Sequence, residues 1–216
     1  MSETQVVRIS RIAAFIAAPL WAMQALIWIF APKVQERAAP HAITNGPLFE
    51  MVWLSVAGAV ALSALAARAI PVLASARPTR LVRVGNILLK ATGWLAGVAT
   101  VSIAIAPASA VQQAALSVMT ATLYGAALLL AVSLIVLAVA SRSHGASATA
   151  TEKLPSVLAV LTTLTLLAIL ASGTNSNVGL YVAALVVVLD GAAWLSWGLR
   201  LTRYNRRDDH TRIPQK

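Results

Sequence analysis

The 216-residue chain has no cysteine, and charged residues make up only 11% of it. Without cysteine there is no disulfide framework, no thiolate nucleophile and no zinc or iron–sulfur site with cysteine ligands. The hydrophobic share of 59% exceeds the value of about 45 to 50% that is typical of soluble domains. The composition therefore predicts that this chain is surrounded by a lipid bilayer.

Recognisable catalytic and metal-binding motifs are also missing. His41, His144 and His210 fall in three different polar segments without the spacing of metal ligands. The sequence has no phosphate-binding loop, dinucleotide fingerprint, G-x-S-x-G motif or aspartate-rich diphosphate site, so we expect no metal and no cofactor. The net charge of +10 does not indicate nucleic-acid binding, because the basic residues lie between long apolar segments.

Six apolar segments are long enough to cross a bilayer, since a hydrocarbon core about 30 Å thick needs about 20 helical residues. The fifth has the weakest apolar character because of Thr162, Thr163 and Thr165, whose hydroxyls we expect to bond to carbonyls of their own helix. The sequence predicts one all-α domain over residues 1 to 200, a six-helix transmembrane bundle, and a basic tail over 201 to 216. The segments lie near residues 12 to 31, 48 to 70, 86 to 106, 116 to 140, 155 to 173 and 178 to 199.

The basic residues lie mainly on one side of the predicted membrane. Fourteen flank one set of helix ends, whereas only Lys33 and Arg37 flank the other. Because cytoplasmic flanks retain Lys and Arg, both termini are predicted to be cytoplasmic in a multi-pass protein of the cell membrane. The alanine-rich, cysteine-free composition indicates a bacterial source, and the sequence predicts no particular oligomeric state.

One small-residue motif bears on helix packing. Gly93 and Gly97 in "GWLAG" form a GxxxG pair, which predicts the close approach of another helix.

Three ionisable residues, Glu50, Lys90 and Asp190, lie in or at the edge of the predicted hydrocarbon. Each requires a partner, water or protonation, because a charge at a helix centre costs about 2.5 to 3.5 kcal/mol. Glu50 lies near the outer surface, and the long stem of Lys90 reaches the headgroups. Asp190 is predicted to lie about 18 Å from the outer end of its helix. It is either ionised and paired with Lys90, or neutral and able to act as an acid.

Aromatic and polar residues share helical faces, on three helices with one of these charges, since positions three, four or seven apart lie on one side of a helix. If the faces converge, they enclose an aromatic-lined cavity for a hydrophobic small molecule. The alternative is that the tryptophans form the belt that is common at membrane interfaces. The candidate binding residues are Trp21, Gln24, Trp53, Trp94, Tyr124 and Trp194.

The segments "LFEMVW" around Glu50 and "LDGAAW" around Asp190 carry a resemblance to small membrane-integral terpene cyclases of meroterpenoid and indole-terpenoid pathways. In that family a glutamate on an early helix and an aspartate on the last helix are implicated in protonating an epoxide or alkene. The resemblance implies that Asp190 is the catalytic acid, that Glu50 assists it, and that Trp53 and Trp194 stabilise a carbocation. That family usually has seven helices, one more than predicted here, and the chain is also similar to uncharacterised six-helix bacterial membrane families.

Three functions are open at this point. The first is a terpene-cyclase-like enzyme that cyclises a prenylated, lipid-like substrate. The second is a small proton-coupled transporter in which Asp190 titrates, although the absence of an internal repeat argues against it. The third is a non-catalytic membrane partner or scaffold, in which Lys90 and Asp190, at depths that differ by about 6 Å, form a structural pair.

Overall fold

The computed structural model describes residues 2–35, 47–73, 79–105, 112–142, 150–171 and 177–211. Side chains are described over residues 2–25, 53–73 and 79–105, and over most of 114–141, 153–167 and 181–204. These parts of the chain are 97% helical and contain no strand, which confirms the predicted all-α fold.

Six long helices and one short helix make up the described chain. Each predicted apolar segment lies mainly within one long helix, and several helices extend beyond the segment, as α7 does through most of the predicted tail. Hydropathy marks only the part of a helix that crosses hydrocarbon, whereas the hydrogen bonds of the backbone continue beyond it. The helices are α1 Glu3–Gln35, α2 Pro47–Ala67, α3 Ile70–Leu73, α4 Arg80–Ile105, α5 Gln112–Arg142, α6 Ala150–Ala171 and α7 Asn177–Thr211.

Five described stretches are long and apolar enough to cross a membrane, which supports a multi-pass membrane protein. In α6 the described apolar stretch, Lys153–Thr165, is shorter than a span. The five stretches are Glu3–Ala25, Trp53–Leu73, Arg80–Ile105, Ser117–Ser141 and Ala184–Tyr204.

The first residues of two helices are capped by side chains. At the start of α1, the Ser2 hydroxyl accepts the N–H of Gln5 at 3.3 Å, and the Gln5 carboxamide oxygen accepts the N–H of Ser2 at 3.3 Å. This reciprocal pair is a capping box. Before α4, the Thr79 hydroxyl accepts the N–H of Val82 at 3.3 Å. Both caps satisfy backbone donors that have no partner within the helix.

The carboxyl end of α2 is held by side chains from the first and last helices. The Ser10 hydroxyl of α1 donates to the Leu65 carbonyl at 2.9 Å, and the Trp197 indole N–H of α7 donates to the Ala66 carbonyl at 3.0 Å. These carbonyls lie just before the turn at residues 68 and 69 that separates α2 from α3. The bonds give a second donor to carbonyls that also accept the N–H groups of Arg68 and Ala69, at 3.3 and 3.4 Å, and they join α1, α2 and α7 at one point.

The six long helices form a closed ring in which consecutive long helices are neighbours and α7 packs against α1. The interior consists largely of alanine and other small residues, whereas many large aliphatic side chains, such as Ile87, Leu128 and Val160, point outward. Small interior residues let helices approach closely, and lipid accepts large apolar side chains on the outside. The ring therefore has the distribution of side chains that suits a bilayer.

Glycines mark where helices approach each other and where they do not. A Cβ on Gly191 of α7 would lie 2.9 Å from the carbonyl oxygen of Ala18, so α1 and α7 are in close contact there. Nothing in the described chain lies within 4 Å of the Cβ positions of Gly93 and Gly97. The helix approach predicted at this GxxxG pair is therefore not made within the described part of the chain.

Candidate functional site

Asp190 lies in the interior of the bundle, where its side chain is 0% exposed. α7 carries it towards α6, and the Thr162 hydroxyl of α6 donates to the carboxyl group, at 3.1 Å from Oδ1 and 3.4 Å from Oδ2. Thr162 is itself buried. The carboxyl group thus has a hydrogen-bond donor from a neighbouring helix in place of water.

Two further donors lie beside the same carboxyl group. The Thr165 hydroxyl, one turn along α6, and the Trp194 indole, one turn along α7, are within interaction range of Asp190. Neither is in hydrogen-bonding geometry: Thr165 Oγ1 and Trp194 Nε1 are buried and have no hydrogen-bond partner in the described chain. We call Asp190, Thr162, Thr165 and Trp194 the interior cluster. It holds more donors than its present hydrogen bonds use.

Next to Asp190, α7 packs tightly against α1. The neighbouring Gly191 touches α1, with its Cβ position 3.4 Å from the Cβ of Trp21. Trp21 is buried beside this contact, and its indole N–H donates to the Ser63 hydroxyl of α2 at 3.1 Å. One turn along α1, Gln24 is also buried, and its amide donates to the Ser55 hydroxyl. Trp21 and Gln24 therefore connect α1 to α2.

The structure brings together only some of the predicted binding residues. Trp194 lies beside Asp190, and Trp21 packs against the neighbouring Gly191. Trp94 of α4 is 79% exposed, and Tyr124 of α5 is also exposed, so both lie on the outside of the bundle. Trp53 is partly buried against the core. Since Trp94 and Tyr124 face outward, a single aromatic-walled cavity does not form from the predicted set.

Glu50, the predicted second acid, cannot be placed in the same way. Its backbone belongs to α2, but its side chain lies outside the described residues.

Lys90 does not pair with Asp190. Lys90 is exposed on α4, where it lines a groove with Arg68 of the turn after α2, and no ion pair joins it to the buried carboxyl group. The predicted structural pair is therefore not present. Depth along the membrane was a poor guide here, because the two side chains leave their helices in different directions.

Sequence reasoning missed Thr162 and Thr165 as members of the site. The expected bond to the helix's own carbonyl is formed by Thr163, whose hydroxyl donates to Ala159 at 2.7 Å. Thr162 donates to Asp190 instead. The available signal was the spacing of Thr162 and Thr165, since residues three apart share one helical face. That face is the one turned towards α7.

The described side chains contain no group of three His, Cys, Asp or Glu residues suited to a metal ion.

Comparisons of the chain with protein-family models, with curated proteins and with solved structures give no match.

Proposed function

We propose that the protein is a multi-pass protein of the cell membrane in which Asp190 binds and releases a proton during proton-coupled transport. The observation that supports this most is the complete burial of Asp190 in the bundle, with no ion pair to a cation among the described side chains. An ionised carboxylate in apolar surroundings is costly unless it is paired, whereas a neutral carboxyl group needs only hydrogen bonds. The interior cluster supplies hydrogen-bond donors of that kind.

The packing around Asp190 favours a proton over a bulky molecule as its ligand. On one side, Gly191 lies against the backbone of α1, with no room for a Cβ. On the other side, Thr162 occupies the space next to the carboxyl oxygens. A prenyl chain would require these helices to separate, but a proton would not. Unused donors at Thr165 and Trp194 would allow the hydrogen bonds to rearrange as the charge changes.

Proton binding at Asp190 is testable without knowledge of the transported molecule. Infrared difference spectra of the full-length protein in nanodiscs, recorded across a pH titration, should contain a protonated-carboxyl band that Asp190→Asn removes. Thr162→Val should shift the band because it removes the observed hydrogen bond. Thr163→Val is the matched control and should leave the band unchanged. A titrating band that persists at full intensity in Asp190→Asn would show that Asp190 is not its source.

Transport is tested separately in proteoliposomes that contain a pH-sensitive dye. Lipophilic cations and lipophilic acids are added from outside, and we expect one class to cause a proton flux that depends on the protein. Asp190→Asn should reduce this flux by more than about tenfold, while Thr163→Val should leave it intact. Equal flux in wild type and Asp190→Asn, or no flux with any compound, would contradict proton-coupled transport.

The second candidate is the terpene-cyclase-like enzyme. Trp194 beside Asp190 favours it, because an aromatic face beside an acid can stabilise a carbocation. Expression with epoxidised or prenylated substrates should then yield a cyclised product that Asp190→Asn abolishes. Product formation by wild type without a proton-coupled flux would favour this enzyme over the transporter. Full activity in Asp190→Asn would exclude Asp190 as the acid.

A further inference from the structure

A groove lies on the outer surface of the bundle between α2 and α4. Its volume is about 290 Å³, and its walls combine two cations, Arg68 and Lys90, with the indole of Trp94. Alanine and leucine side chains of α2 and Leu89 of α4 form its apolar part. The groove therefore places positive charge directly beside apolar surface.

The two cations have no anionic partner in the described chain. Glu3 and Asp190 are the only acidic residues whose side chains are described, and neither forms an ion pair with Arg68 or Lys90. Lys90 is exposed on the face of a membrane-crossing helix, where a charge is costly unless it reaches an anion or the headgroup layer. A ligand for this groove should therefore carry negative charge.

The surface next to the cations is apolar and shallow. Trp94, one turn beyond Lys90, is 79% exposed, and the Cβ positions of Gly93 and Gly97 have no neighbour within 4 Å. Seven residues of helix separate Lys90 from Gly97, a distance of about 10 Å. This length of α4 offers a smooth strip beside the indole that suits a hydrocarbon chain.

We propose that the groove binds one anionic phospholipid of the surrounding membrane. Arg68 and Lys90 bind the phosphate, and an acyl chain lies along Gly93, Trp94 and Gly97. Basic pockets between membrane helices are suited to acidic headgroups. A second copy of the protein fits this surface less well, because a symmetric contact would bring a second Arg68 and Lys90 against the first pair.

The test is native mass spectrometry of the full-length protein with phosphatidylglycerol or phosphatidylcholine of identical acyl chains. Wild type should retain one phosphatidylglycerol more strongly than phosphatidylcholine. The double variant Arg68→Gln/Lys90→Gln should bind phosphatidylglycerol at least about tenfold more weakly. Arg80→Gln/Arg83→Gln is the matched control, since it removes two exposed cations from α4 outside the groove, and it should bind as wild type does.

A second measurement locates the acyl chain. Phosphatidylglycerol brominated on its acyl chain should quench the tryptophan fluorescence of wild type, and Trp94→Phe should remove the saturable part of this quenching. The single variant Lys90→Arg, which keeps the charge, should retain binding and thus separates loss of charge from loss of fold. Equal retention of the two lipids by wild type, or equal weakening by the two double variants, would overturn the proposal.

Discussion

The interior cluster around Asp190 and the groove around Lys90 give an ionisable side chain opposite surroundings. Asp190 is buried between α6 and α7, where the chain supplies a hydroxyl donor at 3.1 Å. Lys90 is exposed on α4, and the described chain supplies no anion for it. Both residues belong to membrane-crossing stretches. The direction in which a polar side chain leaves its helix, more than its depth in the membrane, therefore decides whether protein or lipid must satisfy it.

The largest difference in unfolding free energy is expected between tryptophan variants of the two regions. Trp194→Ala should lower the free energy of unfolding by about 3 to 5 kcal/mol, because the indole is completely buried and its removal leaves a cavity. Trp94→Ala should change it by less than about 0.5 kcal/mol, because that indole is exposed. Reversible unfolding in mixed micelles measures both. Similar losses in the two variants would mean that Trp94 packs within the bundle after all.

A smaller difference in unfolding free energy is expected between variants of Gly191 and Gly97. Gly191→Val should cost about 1 to 3 kcal/mol of unfolding free energy, since even its Cβ would meet the Ala18 carbonyl at 2.9 Å. Gly97→Val should cost nothing measurable, because its Cβ position is open and glycine is a poor helix former. The same unfolding assay applies. Tolerance of valine at position 191 would argue against the close contact of α1 and α7.

The smallest expected contrast is between neighbouring threonines of α6. Thr162→Val should lower the unfolding free energy by about 0.6 kcal/mol, the average for a hydrogen bond between membrane helices. Thr163→Val should have a smaller effect, since its hydroxyl bonds only to its own helix. In double-mutant cycles with Asp190→Asn, only Thr162 should show coupling. Coupling of equal size at Thr163 would refute the bond assigned to Thr162.

The helices were predictable from the sequence because a membrane span needs a long apolar run, and five of the six long helices contain a described run of that length. The need of Asp190 for a hydrogen-bonding partner inside the bundle was predictable for a related reason, since a carboxyl group deep in an apolar run is costly without one. The sequence also indicated correctly that Lys90 and Trp94 share a helical face, because they lie four residues apart.

Whether the face of Lys90 and Trp94 points towards the protein interior or towards lipid was not predictable. In a soluble protein the apolar side of a helix faces inward, but in a bilayer the protein interior and the lipid are both apolar, so hydropathy does not distinguish them. For this reason Trp94 and Tyr124 were candidates for the lining of an interior cavity, whereas both face outward. The bond from Thr162 to Asp190 joins residues 28 positions apart on different helices, and only the packing of α6 against α7 brings them together.

The bonds at the end of α2 have a consequence for how the protein is assembled during synthesis. The Ala66 carbonyl receives its side-chain donor from Trp197, which is 131 residues further along the chain. In a nascent chain that lacks α7, this carbonyl keeps only the backbone N–H of Ala69, at 3.4 Å, and lacks its shorter bond from another helix. The ring therefore reaches its final form only when its last helix has entered the membrane and docked beside the first.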